Sequence, residues 1–363
     1  MTRSPDSPSR LGYRMPAEWE PHAATWIAWP HNTTDWPGKF APIPWAYAEI
    51  VRHLATEERV EILVNDAGAE ARARRVLQQS NAAHGNIRFH RWPTNRGWTR
   101  DCGPIFLTRP GRMGRGLPRI AMTQWRFNGW AKYSDWRKDS TVPDKVRRLM
   151  RLRAWRPLAE VGGRARHVVL EGGSIDVNGR GTLLTTEECL LSTVQQRNPG
   201  LSRADIERVL RNYLGVRKVL WLGGGIVGDD THGHVDDIAR FVGPRTVVAA
   251  VEPDPADPNH APLADNLRRL KSMADQDGRR LRVVPLPMPG PIVFRGRQLP
   301  ASYANFYVAN RLVLVPTFND ASDRLALNTL ARLFPDRRVV GIYCGDFIWG
   351  FGAIHCMTQQ QPE

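Results

Sequence analysis

Residues 167–185 read HVVLEGGSIDVNGRGTLLT. The apolar run from His167 to Leu170 is strand-like and ends on an acid and two glycines. Asn178-Gly179 then separates Ile175–Val177 from Thr182–Thr185. Asn-Gly between two such runs is a strong hairpin signal, because both central residues of a type I′ turn need a positive φ. Three strands therefore fall in under twenty residues with no helix between them.

The same density continues outward. On the N-terminal side the pattern predicts strands at Thr25–Trp29, Val60–Val64 and Ile87–His90, and helices at Pro44–Thr56 and Ala67–Gln79. On the C-terminal side Ser202 caps a predicted helix ending at Leu214, followed by strands Lys218–Leu222 and Thr246–Val251. A helix over Leu263–Met273, strand Leu281–Val284, a pair Tyr303–Val308 with Leu312–Pro316, helix Asp323–Leu333 and strand Val339–Tyr343 complete the series. This is an α/β chain with two or three strands per helix, unlike the strict alternation of a doubly wound sheet or an eight-stranded barrel. Residues 1–14, polar and rich in Pro and Ser, read as a loose tail, and 15–363 as a single domain. Arg109–Pro118 and Val251–Pro262 read as loops within that body.

Composition narrows the function. Hydrophobic residues make up 42% of 363, enough for a large core. No apolar run is long enough to span a membrane, and the N-terminus lacks the apolar stretch of a secretory signal. The four cysteines, Cys102, Cys189, Cys344 and Cys356, form no CxxC pair and read as reduced thiols of a cytoplasmic protein. The net charge of +15 is spread along the chain, and RARR at 72–75 and Arg147–Arg156 read as solvated helix faces. No nucleic-acid-binding motif accompanies the charge, so no specific nucleic-acid partner is expected. Nucleotide cradles are absent too: no GxGxxG follows a strand, and Gly223-Gly224-Gly225 has no lysine after it.

Four segments concentrate chemistry. GDDTHGHVDD (228–237) puts four carboxylates and two imidazoles in one loop of a basic chain. Its HxHxDD could be read as metal-binding, through His232, His234 and Asp236, or as a solvated acidic loop. An extended chain would instead place His234 and Asp236 on one face, suited to acid–base work beside a cation. WTRDCGP (98–104) sets Asp101 near Trp98, a carboxylate with an aromatic face or else a turn-forming Asp. Glu171 stands before two glycines that allow close approach of a ligand or backbone. GFGAIHCMTQQ (350–360) holds Cys356 in a glycine-rich, polar setting, unlike Cys344, which follows an apolar strand. A thiol there is a candidate nucleophile or a buried terminal cysteine.

Taken together, MPAEWEPHAATWIAWP (15–30), WTRDCGP (98–104), VLEGGSIDVNG (169–179), GDDTHGHVDDIARFV (228–242), YANFYVAN (303–310), VPTF (315–318) and IHCMTQQ (354–360) resemble the agmatine deiminase family, relatives of the bacterial peptidylarginine deiminases. The resemblance implies a pentein fold: five ββαβ-type units forming an α/β propeller with the site at its centre. It implies Cys356 as nucleophile, His234 as general acid/base, Asp101 and Asp236 holding the guanidinium, Glu171 assisting, and Trp98 lining the substrate channel. It implies no cofactor, no metal, no membrane, a small cationic guanidino compound as partner, and a place in polyamine or arginine metabolism of a bacterial cytoplasm. A homo-oligomer is compatible with it. Agmatine is the expected substrate, with free arginine, guanidinobutyrate or peptidyl arginine as alternatives. The departures are Phe351 and Ala353, where the family often has glycine and asparagine, and His232, where acids are common. Because a +15 chain repels a cation at long range, the loop 228–237 is expected to reverse the potential locally.

Overall fold

The central strand Leu312–Thr317 shows how the sheets are assembled. It pairs antiparallel with Tyr307–Val308, through Tyr307 and Leu314, and parallel with Arg338–Tyr343, from Leu312 opposite Arg338. Leu312 to Val315 are fully buried, the near-continuous apolar run expected of a strand covered on both faces. The helix Asp323–Leu333 makes the crossover between the parallel pair. The computed structural model describes residues 6–82, 85–111 and 117–363.

The same succession recurs among the described residues. Ile105–Thr108 pairs antiparallel with Ile120–Thr123, which runs parallel to Arg153–Trp155 after the helix Val142–Met150. Asp176–Val177, Thr182–Thr186 and Lys218–Leu222 repeat it around the helix Arg203–Leu214. Ala239–Gly243, Thr246–Val251 and Arg282–Pro287 do so around His260–Ser272. The chain termini close the series: Thr358–Pro362 pairs antiparallel with His22–Ala28, which is followed through the helix Ile43–Leu54 by the parallel strands Arg59–Val64 and Ile87–Arg91. The fold is mixed α/β, with several small sheets rather than one large sheet.

Local chemistry explains the boundaries. Ser202 and Asp205 form a reciprocal capping box, and Gly215 ends that helix at φ 69°. Asp66 caps Ala67–Gln79 by accepting from the Ala69 N–H. In that helix Ala73 is buried while Arg72, Arg74 and Arg75 face solvent, the expected solvated face.

Three expectations change. Residues 6–14 are not a loose tail: Pro8–Leu11 form a turn, Tyr13 is 1% exposed, and Arg14 bridges to Thr108. The buried Tyr13 ring stacks edge-on against Trp155, an anchor hidden in a polar segment. Residues 1–5 lie outside the described residues, as do residues 112–116 of the anticipated loop Arg109–Pro118. The strand forecast at His167–Leu170 ends at His167 instead; only Val169 continues, as a single bridge to Arg126. The strand beginning at Tyr303 starts at Tyr307, since residues 303–304 turn. Among the described residues no helix is long and apolar enough to cross a membrane.

Candidate active site

The antiparallel pair in each of the five sheets of three or four strands is entered through a short turn or loop, and these segments converge. Thr99–Cys102 leads into Ile105–Thr108, Gly172–Ser174 into Asp176–Val177, and Val235–Asp237 into Ala239–Gly243. The loop at 303–306 leads into Tyr307, and Ile354–Met357 into Thr358–Pro362. The segments carry Asp101, Glu171, His234 with Asp236, Asn305 and Cys356.

Backbone contacts lock them together. Arg100, 2% exposed, reaches the His355 carbonyl at 3.3 Å, Gln360 Oε1 at 2.6 Å and Glu18 Oε2 at 3.1 Å. Thr99 Oγ1 donates to the carbonyls of Trp26 and Met357. Gly173 brings its backbone into the centre: a Cβ there would lie 2.6 Å from His234 Nδ1 and 2.9 Å from both Asp101 Oδ1 and Asp236 Oδ2. Its N–H donates to Asp101 Oδ1 at 2.9 Å.

The predicted residues come together around His234, which is fully buried. Its Nδ1 lies 3.8 Å from Asp101 Oδ1 and 4.0 Å from Asp236 Oδ1, and its Nε2 3.7 Å from Glu171 Oε2. Cys356 Sγ is 3.8 Å from Asp236 Oδ2 and accepts the Asn305 amide N–H at 3.1 Å. Both His234 nitrogens, Asp236 Oδ1 and Glu171 Oε2 are buried without a hydrogen-bond partner in the protein.

A cavity of about 250 Å³ opens on this cluster. Cys356, Asp101 and Trp98 line it with Trp130 and Phe351, and Thr34, Asp35, Arg96, Tyr133 and Asp230 extend it. Glu171, His234 and Asp236 do not line it. Glu171 sets Oε2 3.7 Å from His234 Nε2, and its Oε1 accepts Arg197 Nε at 3.2 Å. His232 turns away, with Nε2 3.2 Å from Ser192 Oγ and Nδ1 3.5 Å from Glu188. The HxHxDD stretch thus does not gather its two histidines on one ion.

Electrostatics divides the acids. Burial opposes ionisation of Glu171, but Arg197 and His234 overcome it and bring the carboxyl to about 2. Burial raises Asp101, with His234 and the Trp130 N–H working against the rise; that N–H donates to Asp101 Oδ2 at 2.8 Å. Asp236 is lowered despite burial, through His355 and His234. Asp237 is driven up by burial and by neighbouring Asp236. Burial lowers His234, yet Asp101, Cys189 and Glu171 more than reverse this and hold it well above the ordinary imidazole value. Burial, with Asp236, Asp237 and Asp101, lifts the Cys356 thiol well above its usual range. With the site empty, these surroundings favour the protonated imidazole of His234 and the neutral thiol of Cys356.

The loop 228–237 contributes less free charge than its four acids suggest. Asp229 accepts the N–H groups of Thr231, Gly233 and His234, tying the loop to itself. Asp230 is paired with Lys132 and Arg297.

Sequence reasoning missed several participants. Asn305 sits inside YANFYVAN, where nothing but its place before a strand marks it. Trp130 lies in no predicted cluster. Glu18 accepts from Arg100, Arg240, His355 and the Val308 N–H, and His355 joins Glu18 at 2.8 Å to Asp236 at 2.7 Å. Among the described residues, Glu171, Cys189 and His234 are the group with metal-ligand types close together, their donor atoms within 4.8 Å. Arg197 already pairs with the carboxylate and adds a positive charge that a divalent ion would have to overcome.

Comparison with known proteins gives a consistent picture. A family model for Porphyromonas-type peptidyl-arginine deiminase matches residues 14–362. The agmatine deiminase of Pseudomonas aeruginosa is 37% identical over 389 residues, covering 100% of this chain and 99% of that protein. The solved agmatine deiminase of Enterococcus faecalis is 34% identical with a TM-score of 0.87, covering 98% of each chain. A substrate-bound Cys-to-Ser variant of the Campylobacter jejuni agmatine deiminase is 26% identical with a TM-score of 0.83, covering 97% of this chain and 96% of its own.

Proposed function

This chain belongs to the Porphyromonas-type peptidyl-arginine deiminase family, and from that premise we propose that it hydrolyses agmatine to N-carbamoylputrescine and ammonia. The observation that carries the reading is the set of unpartnered atoms, both nitrogens of His234 and Asp236 Oδ1, packed beside the thiol of Cys356. A planar guanidinium offers N–H donors to such carboxylates in paired, charge-assisted hydrogen bonds. Asp101 and Asp236 hold it so. The agmatine deiminases among the relatives are named for this substrate.

The chemistry follows from the charges. A cation bound between Asp101 and Asp236 offsets the acids that keep the Cys356 thiol neutral, and the thiol proton passes to solvent as the cation binds. The thiolate adds to the guanidinium carbon and forms a C–S bond. His234, protonated beforehand, gives its proton to the departing nitrogen as the C–N bond breaks, and ammonia is released. A thiouronium-type adduct on Cys356 remains. Neutral His234 then takes a proton from water, the hydroxide adds to the same carbon, the C–S bond breaks to return the thiolate, and the hydroxyl proton of the protonated product passes to solvent to leave the neutral ureido group. Glu171, held ionised by Arg197, steadies His234 from behind and favours its protonated form. Acid–base help of this kind contributes roughly 10²–10⁴-fold.

The aromatic walls of Trp98, Trp130 and Phe351 favour a slender substrate over a peptide. The five-unit propeller around a pseudo-fivefold axis belongs to the same proposal. Its support is the recurring strand–strand–helix–strand order and the convergence of the segments before each antiparallel pair. Residues 15–363 then act as one catalytic domain. Four free, buried cysteines suit a reducing cytoplasm as its setting.

The test is ammonia release from agmatine, with free arginine, guanidinobutyrate and a peptidyl arginine in parallel. Cys356→Ala should retain the fold and lose turnover. Turnover by that variant at the wild-type rate would sink the assignment of the nucleophile.

A further inference from the structure

The residue before the nucleophile takes no part in the chemistry above. His355 is 2% exposed, and both of its ring nitrogens meet carboxylates. Nδ1 lies 2.7 Å from Asp236 Oδ2, and Nε2 lies 2.8 Å from Glu18 Oε2. Both acids are buried. The main chain fixes the ring between them: the His355 N–H donates to Asn305 Oδ1 at 3.0 Å, and Arg100 Nε donates to the His355 carbonyl at 3.3 Å.

A neutral imidazole has one N–H to give, an imidazolium has two, and a carboxylate has none. A ring bonded at both nitrogens to two carboxylates therefore carries two protons, unless one acid has taken a proton itself. The surroundings of the acids oppose that second arrangement. Glu18 Oε1 accepts Arg240 at 2.9 Å and the Val308 N–H at 2.8 Å, and Oε2 also accepts Arg100 at 3.1 Å. Burial opposes ionisation of Glu18, yet Arg240, His355 and Arg100 hold it well below the ordinary carboxylate range. Asp236 is likewise lowered against its burial, by His355 and then His234. Beyond Glu18 stand Arg100, Arg240, Asp176 and the Tyr307 hydroxyl. Beyond Asp236 stand Asp101, His234, Asp237 and the Cys356 thiol. Two guanidiniums thus keep Glu18 ionised at one end, and the acids at the other favour a cation on the ring.

We infer that His355 is a positioning residue of this site: a doubly protonated imidazole locked between Glu18 and Asp236, it turns Asp236 so that Oδ1 is left for the guanidinium, and it keeps that carboxylate ionised while the neighbouring thiol loses its proton. Resting on the deimination proposed at Cys356, this gives Glu18 and His355 a part in that same site. Asp236 Oδ1 is the oxygen left without a partner. When the thiol ionises, a second negative charge forms 3.8 Å from Asp236 Oδ2. Like charges so close oppose each other, and an imidazolium on that same oxygen offsets the repulsion.

The direct readout is nitrogen-15 NMR of the histidine rings, with His355 identified by its loss in His355→Gln or its shift in Glu18→Gln. In the wild type both ring nitrogens should stay protonated to about pH 9, well past the ordinary imidazole value of about 6.5. Glu18→Gln removes one carboxylate and leaves two arginines, so its ring should lose a proton near or below that value. Its kcat/KM on agmatine should then fall by roughly 10–100-fold at about pH 8, the range of one hydrogen bond to a charged group. The deficit against the wild type should shrink as pH falls to about 6 and the ring regains its proton. A general loosening of the fold would cost the same factor at every pH. His355→Gln, which can donate to Asp236 but has no charge, should be slow throughout that range with no such trend. A deficit of Glu18→Gln that does not change with pH overturns the inference and leaves the deiminase reading standing. So does a wild-type ring with a single proton at about pH 7, which decides the matter even where a variant fails to fold. A wild type that turns over no guanidine removes the deiminase reading and the role of His355 with it.

Discussion

Asn305→Ala is the most informative perturbation of the catalytic centre. The amide Nδ2 is 3.1 Å from Cys356 Sγ and 2.8 Å from Asp237 Oδ1, and Oδ1 accepts the His355 N–H at 3.0 Å. A neutral thiol gains little from the donor, but a thiolate gains a charge-assisted hydrogen bond. Such bonds contribute about 1.5–3 kcal/mol, so at about 1.4 kcal/mol per decade kcat/KM should fall roughly 10–150-fold. The same loss should raise the thiol further above its already elevated value. The assay has two arms: ammonia release, and the pH dependence of inactivation by iodoacetamide, which reads the thiolate directly. The His355 N–H loses its side-chain acceptor but keeps the Asn305 backbone carbonyl at 3.1 Å, so the loss of thermal stability should be small, and a stability scan separates that effect. A drop in turnover with an unshifted alkylation profile would refute the reasoning, because it would mean that Asn305 only props the loop at 303–306.

Gly173→Ala should inactivate without unfolding. The added Cβ falls under 3.0 Å from His234, Asp101 and Asp236 together, and circular dichroism with a native melt beside absent turnover would check it; more than a tenth of wild-type kcat/KM would refute it. The pH dependence of binding follows from Cys356. Its thiol lies well above its ordinary value when the site is empty, and a bound guanidinium lowers it, so binding releases a proton and affinity for an unreactive guanidine rises as pH rises toward that value. Calorimetry in buffers of different ionisation enthalpy should show this release in the wild type and a smaller one in Cys356→Ala.

Much of the scaffold was legible because its signals are local. The hairpin at Asn178-Gly179, the capped helix Arg203–Leu214 and the strands Lys218–Leu222 and Thr246–Val251 follow from turn residues and apolar runs, although the hairpin closes through a longer loop with positive φ at Gly179 and Gly181 and not at Asn178. Ile120–Thr123 and Ala239–Gly243 escaped because four or five residues carry too little periodicity. The candidate catalytic residues were reached through motifs in order along the chain, since the distances that join them are set by the meeting of turns far apart in sequence. Asn305 had no such mark: an asparagine before a strand is ordinary until its amide is seen on sulfur. The acidic loop 228–237 was read as free charge, and its real partners, Lys132 and Arg297, are about 100 and 70 residues away.

The arginine-rich composition bears on the site in a way the net charge conceals. Glu18 is matched by Arg100 and Arg240, Glu171 by Arg197, and Asp176 by Arg240. These buried acids have each found a guanidinium from within the chain. Asp101 and Asp236 have not: Asp101 accepts from the Trp130 and Gly173 N–H groups, and Asp236 pairs with His355. The interior thus matches Glu18, Glu171 and Asp176 with its own arginines but not Asp101, Asp236 or Asp237, and Cys356 Sγ lies 3.8 Å from Asp236. Removing one partner from a buried ion pair typically costs about 3–5 kcal/mol. An arginine grafted near Asp101 should therefore occupy the vacancy and exclude substrate. On the proposed function, selectivity for a cation lies in the partner choice of individual carboxylates and not in the net charge of +15.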